Sequence, residues 1–277
     1  MALPVAVWVD GREVRAAVGS SLRDACRLAG AEIPTLCFNE GFTPANACRL
    51  CVVEVEGSRT LAPACSRAVE SGMRIRTGSE RVLHSRRLVL ELLGSSVDLS
   101  LAPDLEALMV TYGARPERFA ASGAATVRQP VKVDNDLYVR DYSRCVLCYR
   151  CVQACGSEAQ NTFAIWVADR GFGARIATEY DAALPDSACV YCGNCIEVCP
   201  TGALMFKSEF DLREVGNWRE SEQQTTTTIC SYCGVGCSLE LLVQGNQIVR
   251  VGSPSESEVT RGNLCIKGRF GHDFVRG

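Results

Sequence analysis

Val5 to Val9 is a short apolar run rich in β-branched residues, and Asp10-Gly11 follows it as a hairpin turn signal. Glu13 to Val18 continues as the return strand. Ser20 or Ser21 can cap a helix running to Ala29, with Gly30 where a helix C-terminal glycine belongs. Leu22, Ala25, Cys26 and Ala29 share one face of that helix, which makes Cys26 a small buried hydrophobe rather than a ligand. Val52 to Val55 and Arg74 to Arg76 read as further strands. Hairpin, helix, loop and strands together predict a β-grasp-like unit over residues 1–78.

Glu80 to Leu93 is apolar at helical spacing through Val82, Leu83, Leu88, Val89, Leu92 and Leu93. Leu99 to Ala124, rich in Ala, Leu, Gly and Pro, reads as short helices within a connector over 79–135. Glu220 to Thr228 is polar and low in core residues, the composition of a linker. Leu239 to Val243 and Ile248 to Val251 flank Gly245-Asn246, a second hairpin signal. The whole pattern is that of an α+β chain.

The 277 residues are 47% hydrophobic and 22% charged, a globular composition sufficient for two to three small domains. The formal net charge of −3, with no basic block, argues against nucleic acid as a partner. No apolar run reaches the roughly 18 residues that span a bilayer, since Arg86, Arg87 and Glu91 interrupt the best candidate. The first residues carry no basic stretch or cleavage pattern of a signal peptide. A reducing cytoplasm is the expected setting, where clustered cysteines are metal sites more often than disulfides.

The 17 cysteines change the picture most. Sixteen fall into four groups of four, leaving Cys26 over. The two central groups each read Cys-x2-Cys-x2-Cys-x3-Cys: Cys145, Cys148, Cys151, Cys155 and Cys189, Cys192, Cys195, Cys199, the last followed by Pro200. Two-residue gaps point three thiolates at one face of a cubane, and the fourth cysteine ligates the other cluster in two-cluster ferredoxins. The predicted sets are Cys145, Cys148, Cys151 with Cys199, and Cys189, Cys192, Cys195 with Cys155, in a bacterial-ferredoxin-like domain over 136–218. Gly156 stands where a proline is expected. Zinc is the competing reading, because paired Cys-x2-Cys also binds it; two interlocking runs argue against it.

The first group, Cys37, Cys48, Cys51 and Cys65, has spacing Cys-x10-Cys-x2-Cys-x13-Cys within Ile33-Pro34-Thr35-Leu36-Cys37, Ala47-Cys48-Arg49-Leu50-Cys51 and Pro63-Ala64-Cys65. This stretch resembles the [2Fe–2S] domain of the large iron–sulfur subunit of respiratory complex I, and equally its relatives in NAD(P)-linked, including bifurcating, [NiFe] hydrogenases and formate dehydrogenases. Asn46 replaces the family's usual glycine, so a local difference before Cys48 is expected. The family's next motif, His-x3-Cys-x2-Cys-x5-Cys, has no counterpart: residues 94–104 contain neither His nor Cys, and His84 sits upstream on a helix without cysteine partners.

The last group, Cys230, Cys233, Cys237 and Cys265, is followed by Ile266-Lys267-Gly268-Arg269-Phe270-Gly271. Residues 226–277 resemble the N-terminal [4Fe–4S] module of molybdenum or tungsten bis-pterin oxidoreductases, in which a lysine placed like Lys267 lies between cluster and pterin. The sequence stops at Gly277, without the residues that hold a pterin.

The resemblances imply one [2Fe–2S] and three [4Fe–4S] clusters. They imply an electron-transfer subunit between a flavin/NAD(P)-binding subunit and a separate catalytic subunit, with a hydrogenase module the favoured partner and ferredoxin a further candidate. The alternatives are the iron–sulfur part of a split pterin-dependent formate dehydrogenase and a scaffold whose clusters carry no current. No substrate site is visible. Gly171-x-Gly173 is too short for a dinucleotide fingerprint, and only His84 and His272 could act as a histidine base.

Overall fold

Asp10 and Gly11 both adopt positive φ, 48° and 86°, the backbone of a tight two-residue hairpin turn. They join β1 (Val5–Val9) to β2 (Arg12–Ala16) in the computed structural model, which describes residues 4–120 and 129–276. Expectations for the first three residues, for 121–124 within the connector and for Gly277 lie outside the described residues. Ser21 caps α1 (Leu22–Leu28): its hydroxyl accepts from the Asp24 N–H, while the Asp24 carboxylate accepts from the Ser21 N–H, a reciprocal capping box. Gly30 follows at φ 81°. β3 (Val52–Val55), β4 (Ala62–Pro63) and β5 (Arg74–Arg76) complete a five-stranded sheet of order β2-β1-β5-β3-β4, with β1 and β5 parallel. Val7, Val9 and Ile75 from the sheet pack with Leu22, Ala25 and Cys26 of α1. Each such fully buried aliphatic contributes roughly 1.5–3 kcal/mol.

α2 (Glu80–Ser96) starts at the Ser79 cap. Its buried face differs from the predicted apolar stripe. Val82, Arg86 and Leu90, at i, i+4 and i+8, face inward together with Glu91, while Leu83 and Leu92 are exposed. Arg86 can lie inside because its guanidinium donates to the Val52 carbonyl at 2.9 Å and the Tyr112 hydroxyl at 3.0 Å. α3 (Pro103–Tyr112) and α4 (Glu117–Ala120) follow and pack on α2.

Contacts divide the chain into two units. One is Met1–Phe38 with Thr43–Thr126, so α2 to α4 belong with the β-grasp sheet; the other is Asn39–Phe42 with Val127–Gly277.

In the second unit, β6 (Tyr138–Arg140) leads to α5 (Arg150–Cys155), the hairpin β7 (Trp166–Ala168) and β8 (Arg175–Ala177), α6 (Asn194–Glu197) and β9 (Leu204–Phe206). β6 and β9 pair antiparallel, which brings the two ends of this segment together. α7 (Lys207–Glu214) then leads to the meander β10 (Gln224–Ile229), β11 (Ser238–Gln244) and β12 (Gln247–Gly252), and to α8 (Ile266–Phe270). The stretch read as a linker is therefore largely strand β10. Its four threonines are β-branched and suit a pleated edge, and every residue of it is exposed, so no alternation marked it. Gly245 and Asn246, at φ 55° and 62°, turn β11 into β12 as predicted.

Candidate metal centres

The two central cysteine runs share one backbone device. Leu147 and Tyr149 flank Cys148 at φ 51° and 66°; Tyr191 and Gly193 flank Cys192 at 57° and 71°. A left-handed conformation costs a non-glycine residue about 1–2 kcal/mol. Such strain concentrates at functional loops. Here the bends turn amide N–H groups towards sulfur. The Tyr191 N–H donates to Cys189 Sγ at 3.4 Å, and the amides of Leu147, Arg150 and Asn194 bond in the same way to Cys145, Cys148 and Cys192.

One cavity is lined by Cys145, Cys148, Cys151 and Cys199. A second is lined by Cys189, Cys192, Cys195 and Cys155. The pairing of β6 with β9 and the packing of α5 on α6 exchange the fourth cysteine of each run into the other's cavity. Burial pushes the Cys145 thiol up to about 11 and Cys148 to about 12, and drives Cys151 and Cys195 well upward with further pressure from neighbouring thiols. Buried and half-buried thiols in fours, fed by backbone N–H donors, are suited to a group that carries its own positive charge.

In the first unit the loop before β3, which carries Cys37, Cys48 and Cys51, meets Cys65 just after β4. The Cys51 and Cys65 Sγ atoms are 3.3 Å apart, and the Cys48 and Leu50 amides lie 3.5 and 3.4 Å from Cys37 and Cys48 Sγ. A hydrogen bond from Cys48 draws Cys37 down to about 5, and one from Cys65 draws Cys51 down to about 7. Asn46 adopts φ 55°, a conformation that glycine takes freely and asparagine tolerates. Its side chain adds something glycine lacks: Oδ1 accepts from Ser66 Oγ at 2.7 Å, next to Cys65.

In the C-terminal module, Cys237 is raised by burial and then by Cys230, Cys233 and Cys265, which places all four thiols within electrostatic reach. Cys230 is buried, while Cys233 and Cys265 are exposed. Lys267 is exposed and lines an apolar cleft of about 300 Å³ with Ile229, Tyr232 and Phe274. Cys26 lies in the β-grasp core, its thiol pushed up to about 12 by burial. His84 is exposed.

Among the described residues, no three His, Cys, Asp or Glu side chains converge at single-ion distance. The central sets stand around cavities instead, an all-sulfur donor set whose chemistry fits an iron–sulfur cluster.

Several residues around these sets were not legible from the sequence. Tyr138 Oη lies 3.0 Å from Cys189 Sγ, and Arg140 lines the same cavity. Fully buried Arg269 in α8 donates to the Cys192 carbonyl (3.1 Å), Glu197 (2.6 Å), the Val251 carbonyl (3.1 Å) and Asn194 (3.0 Å). The only available signal for Tyr138 and Arg140 was their i, i+2 spacing; for Arg269 it was the place in the motif after Cys265.

Three family models match: a 2Fe-2S iron-sulfur cluster binding domain over 2–80, the ferredoxin-like domain of NADH-quinone oxidoreductase subunit 3 over 136–205, and the molybdopterin oxidoreductase Fe4S4 domain over 223–277. One of the NADH-quinone oxidoreductase subunits of Rhizobium meliloti is 32% identical over 98% of this chain. The chain is similar to subunits of NAD(P)-linked oxidoreductases. The alpha subunit of NADPH-Fe(3+) oxidoreductase from Geobacter sulfurreducens is 33% identical, again over 98% of the chain. The chain spans 31% of the length of each of these two relatives. A crystal structure of NAD+-reducing [NiFe]-hydrogenase in the H2-reduced state superposes with a TM-score of 0.62 at 26% identity, covering 73% of this chain and 87% of the other. No described helix is long and apolar enough to cross a membrane.

Proposed function

We propose that this chain relays single electrons between a flavin- and NAD(P)-binding subunit and a separate catalytic subunit, with a hydrogenase module the favoured partner. Cys37, Cys48, Cys51 and Cys65 hold one [2Fe–2S] cluster. Cys145, Cys148, Cys151 and Cys199 hold one [4Fe–4S] cluster, and Cys189, Cys192, Cys195 and Cys155 a second. Cys230, Cys233, Cys237 and Cys265 hold the third. Bound clusters supply one-electron redox chemistry. The chain's residues supply thiolates, amide donors and an apolar surround, which together set each potential.

The observation that carries this reading is the exchange of Cys155 and Cys199 between the two central cavities. A zinc knot needs no such interlock. The relatives, which include a subunit of an NADP-reducing hydrogenase, support the NAD(P)-linked partner. Iron and sulfide analysis of anaerobically purified protein tests the reading: about 14 iron atoms per chain follow from one two-iron and three four-iron clusters. Substantial zinc in their place overturns the assignment.

A second reading is the iron–sulfur part of a pterin-dependent formate dehydrogenase, with Lys267 at the edge of the pterin site. It draws on the molybdopterin oxidoreductase domain match and on a putative formate dehydrogenase of Staphylococcus haemolyticus, 26% identical over 95% of this chain. Purifying the intact complex separates the two: a nickel-bearing partner supports the first, molybdenum or tungsten the second. Clusters silent in electron paramagnetic resonance at every accessible potential would indicate a scaffold instead.

A further inference from the structure

The ligand assignment leaves Arg140 unexplained. It is 1% exposed at the end of β6. Asp134 pairs with its Nη2, and its guanidinium stands 6.0 Å from the Tyr142 ring centroid. Its Nε is buried and has no hydrogen-bond partner among the described residues. A buried donor left unmade costs about 1–3 kcal/mol, so a structural role alone is a poor account of it. Arg140 lines the cavity of Cys155, Cys189, Cys192 and Cys195. Two residues earlier on the same face of the strand, buried Tyr138 reaches Cys189 Sγ from its hydroxyl at 3.0 Å.

The neighbouring cavity, that of Cys145, Cys148, Cys151 and Cys199, also has a phenol, Tyr142, but among the described residues no arginine or lysine lines it. Arg150 acts on Cys148 from outside that lining, so the difference between the two sets is a buried guanidinium in the cavity wall itself. Asp134 offsets much of its net charge, which leaves the unpartnered N–H group in the cavity wall as the working part. A second buried guanidinium, that of Arg269, donates to the backbone carbonyl of Cys192 at 3.1 Å. Thiolate and sulfide sulfurs accept hydrogen bonds. A donor aimed at them stabilises the reduced, more negative cluster and raises its potential.

We propose that Tyr138 and Arg140 are tuning residues that make the cluster held by Cys155, Cys189, Cys192 and Cys195 the more easily reduced of the central pair. The proposal rests on the ligand assignment above, and places the resting electron on the cluster adjoining the C-terminal module.

The test is a redox titration of the full chain, purified anaerobically, following each four-iron signal by electron paramagnetic resonance. In Arg140→Gln the reduced-to-oxidised ratio of this one cluster at a fixed poise is expected to fall about tenfold, a shift of about 59 mV for a one-electron couple. In Tyr138→Phe, which removes one oxygen and keeps the ring in place, it is expected to fall several-fold. The cluster of Cys145, Cys148, Cys151 and Cys199 keeps its wild-type potential in both. Variants that lose thermal stability while every potential stays put overturn the proposal, as does an equal shift of both central clusters. A wild-type chain without a cluster on these four cysteines overturns the ligand assignment itself, and this proposal with it.

Discussion

Arg269 Nη1 lies 2.6 Å from Glu197 Oε2, joining α8 of the C-terminal module to α6 of the ferredoxin-like segment through a side chain with no solvent exposure. Burial alone would depress the guanidinium's pKa, and Glu197 opposes that loss of charge. The same side chain makes three further bonds of 3.0–3.1 Å, to Cys192, Val251 and Asn194. Removing one partner of a buried ion pair typically costs 3–5 kcal/mol. Glu197 is partly exposed, which sets the expectation at the lower end. Arg269→Met should therefore weaken the attachment of β10–β12 by about 3 kcal/mol, read as faster hydrogen exchange of their amides, with the β-grasp amides unchanged.

Gly193 makes a second point of contact. A Cβ built there would meet Arg269 Cδ at 2.8 Å and the Phe270 ring at 3.1 Å, on a backbone at φ +71°. Gly193→Ala should destabilise the second unit by about 2–4 kcal/mol, combining left-handed strain with overpacking. Gly11→Ala is the control. Its φ is +86° with nothing within 4 Å of the added carbon, so only the backbone cost of about 1–2 kcal/mol is expected. Thermal melts of the two variants side by side check the difference.

Cysteine substitutions should sort by cavity rather than by sequence run. Cys155→Ser and Cys189→Ser are expected to lose or alter the same four-iron signal, while Cys199→Ser affects the other. Cys26→Ala should retain the full iron content. Iron analysis with resonance spectra of each variant decides it; loss of the Cys145–Cys151 signal in Cys155→Ser would mean that each run closes on itself.

Glu91 carries an acid-sensitive contact in the first unit. Burial favours its neutral form, but the Arg115 N–H at 3.1 Å and Arg118 Nη1 at 2.6 Å outweigh burial and hold the carboxyl below the usual glutamate range. A folded pKa below the unfolded one, about 4.3, means the stabilisation is complete above that value and is lost as pH falls towards the folded value. The packing of α2 on α4 is thus expected to loosen below about pH 4. Glu91→Gln should be loosened already at neutral pH and show little further change in that window, measured by hydrogen exchange of α2.

Much of the metal chemistry was legible because it depends on spacing: two-residue gaps fix which thiols can share a face, and the backbone at Leu147, Tyr149 and Tyr191 bends to suit. The hairpins at Asp10-Gly11 and Gly245-Asn246 and the Ser21 cap were legible for the same reason, since each is decided within four residues. What stayed hidden depends on partners far along the chain. Nothing local to Arg86, Arg140 or Arg269 marks them as buried; a carbonyl, an Asp or a Glu from elsewhere in the chain surrounds each. Strand β10 gave no periodic signal because Leu239 to Val243 of its neighbour, rather than its own threonines, carry the apolar contacts.

Asn194 stands between Cys192 and Cys195, and its Oδ1 accepts the amide of Leu264, the residue before Cys265, at 2.9 Å as well as Arg269 Nη2. The loop of the second central cysteine run and that of Cys265 are thereby tied to one atom. On the proposed ligand assignment this shared acceptor holds the two centres at one separation, so a charge crossing between them would meet a single tunnelling distance rather than a spread of distances.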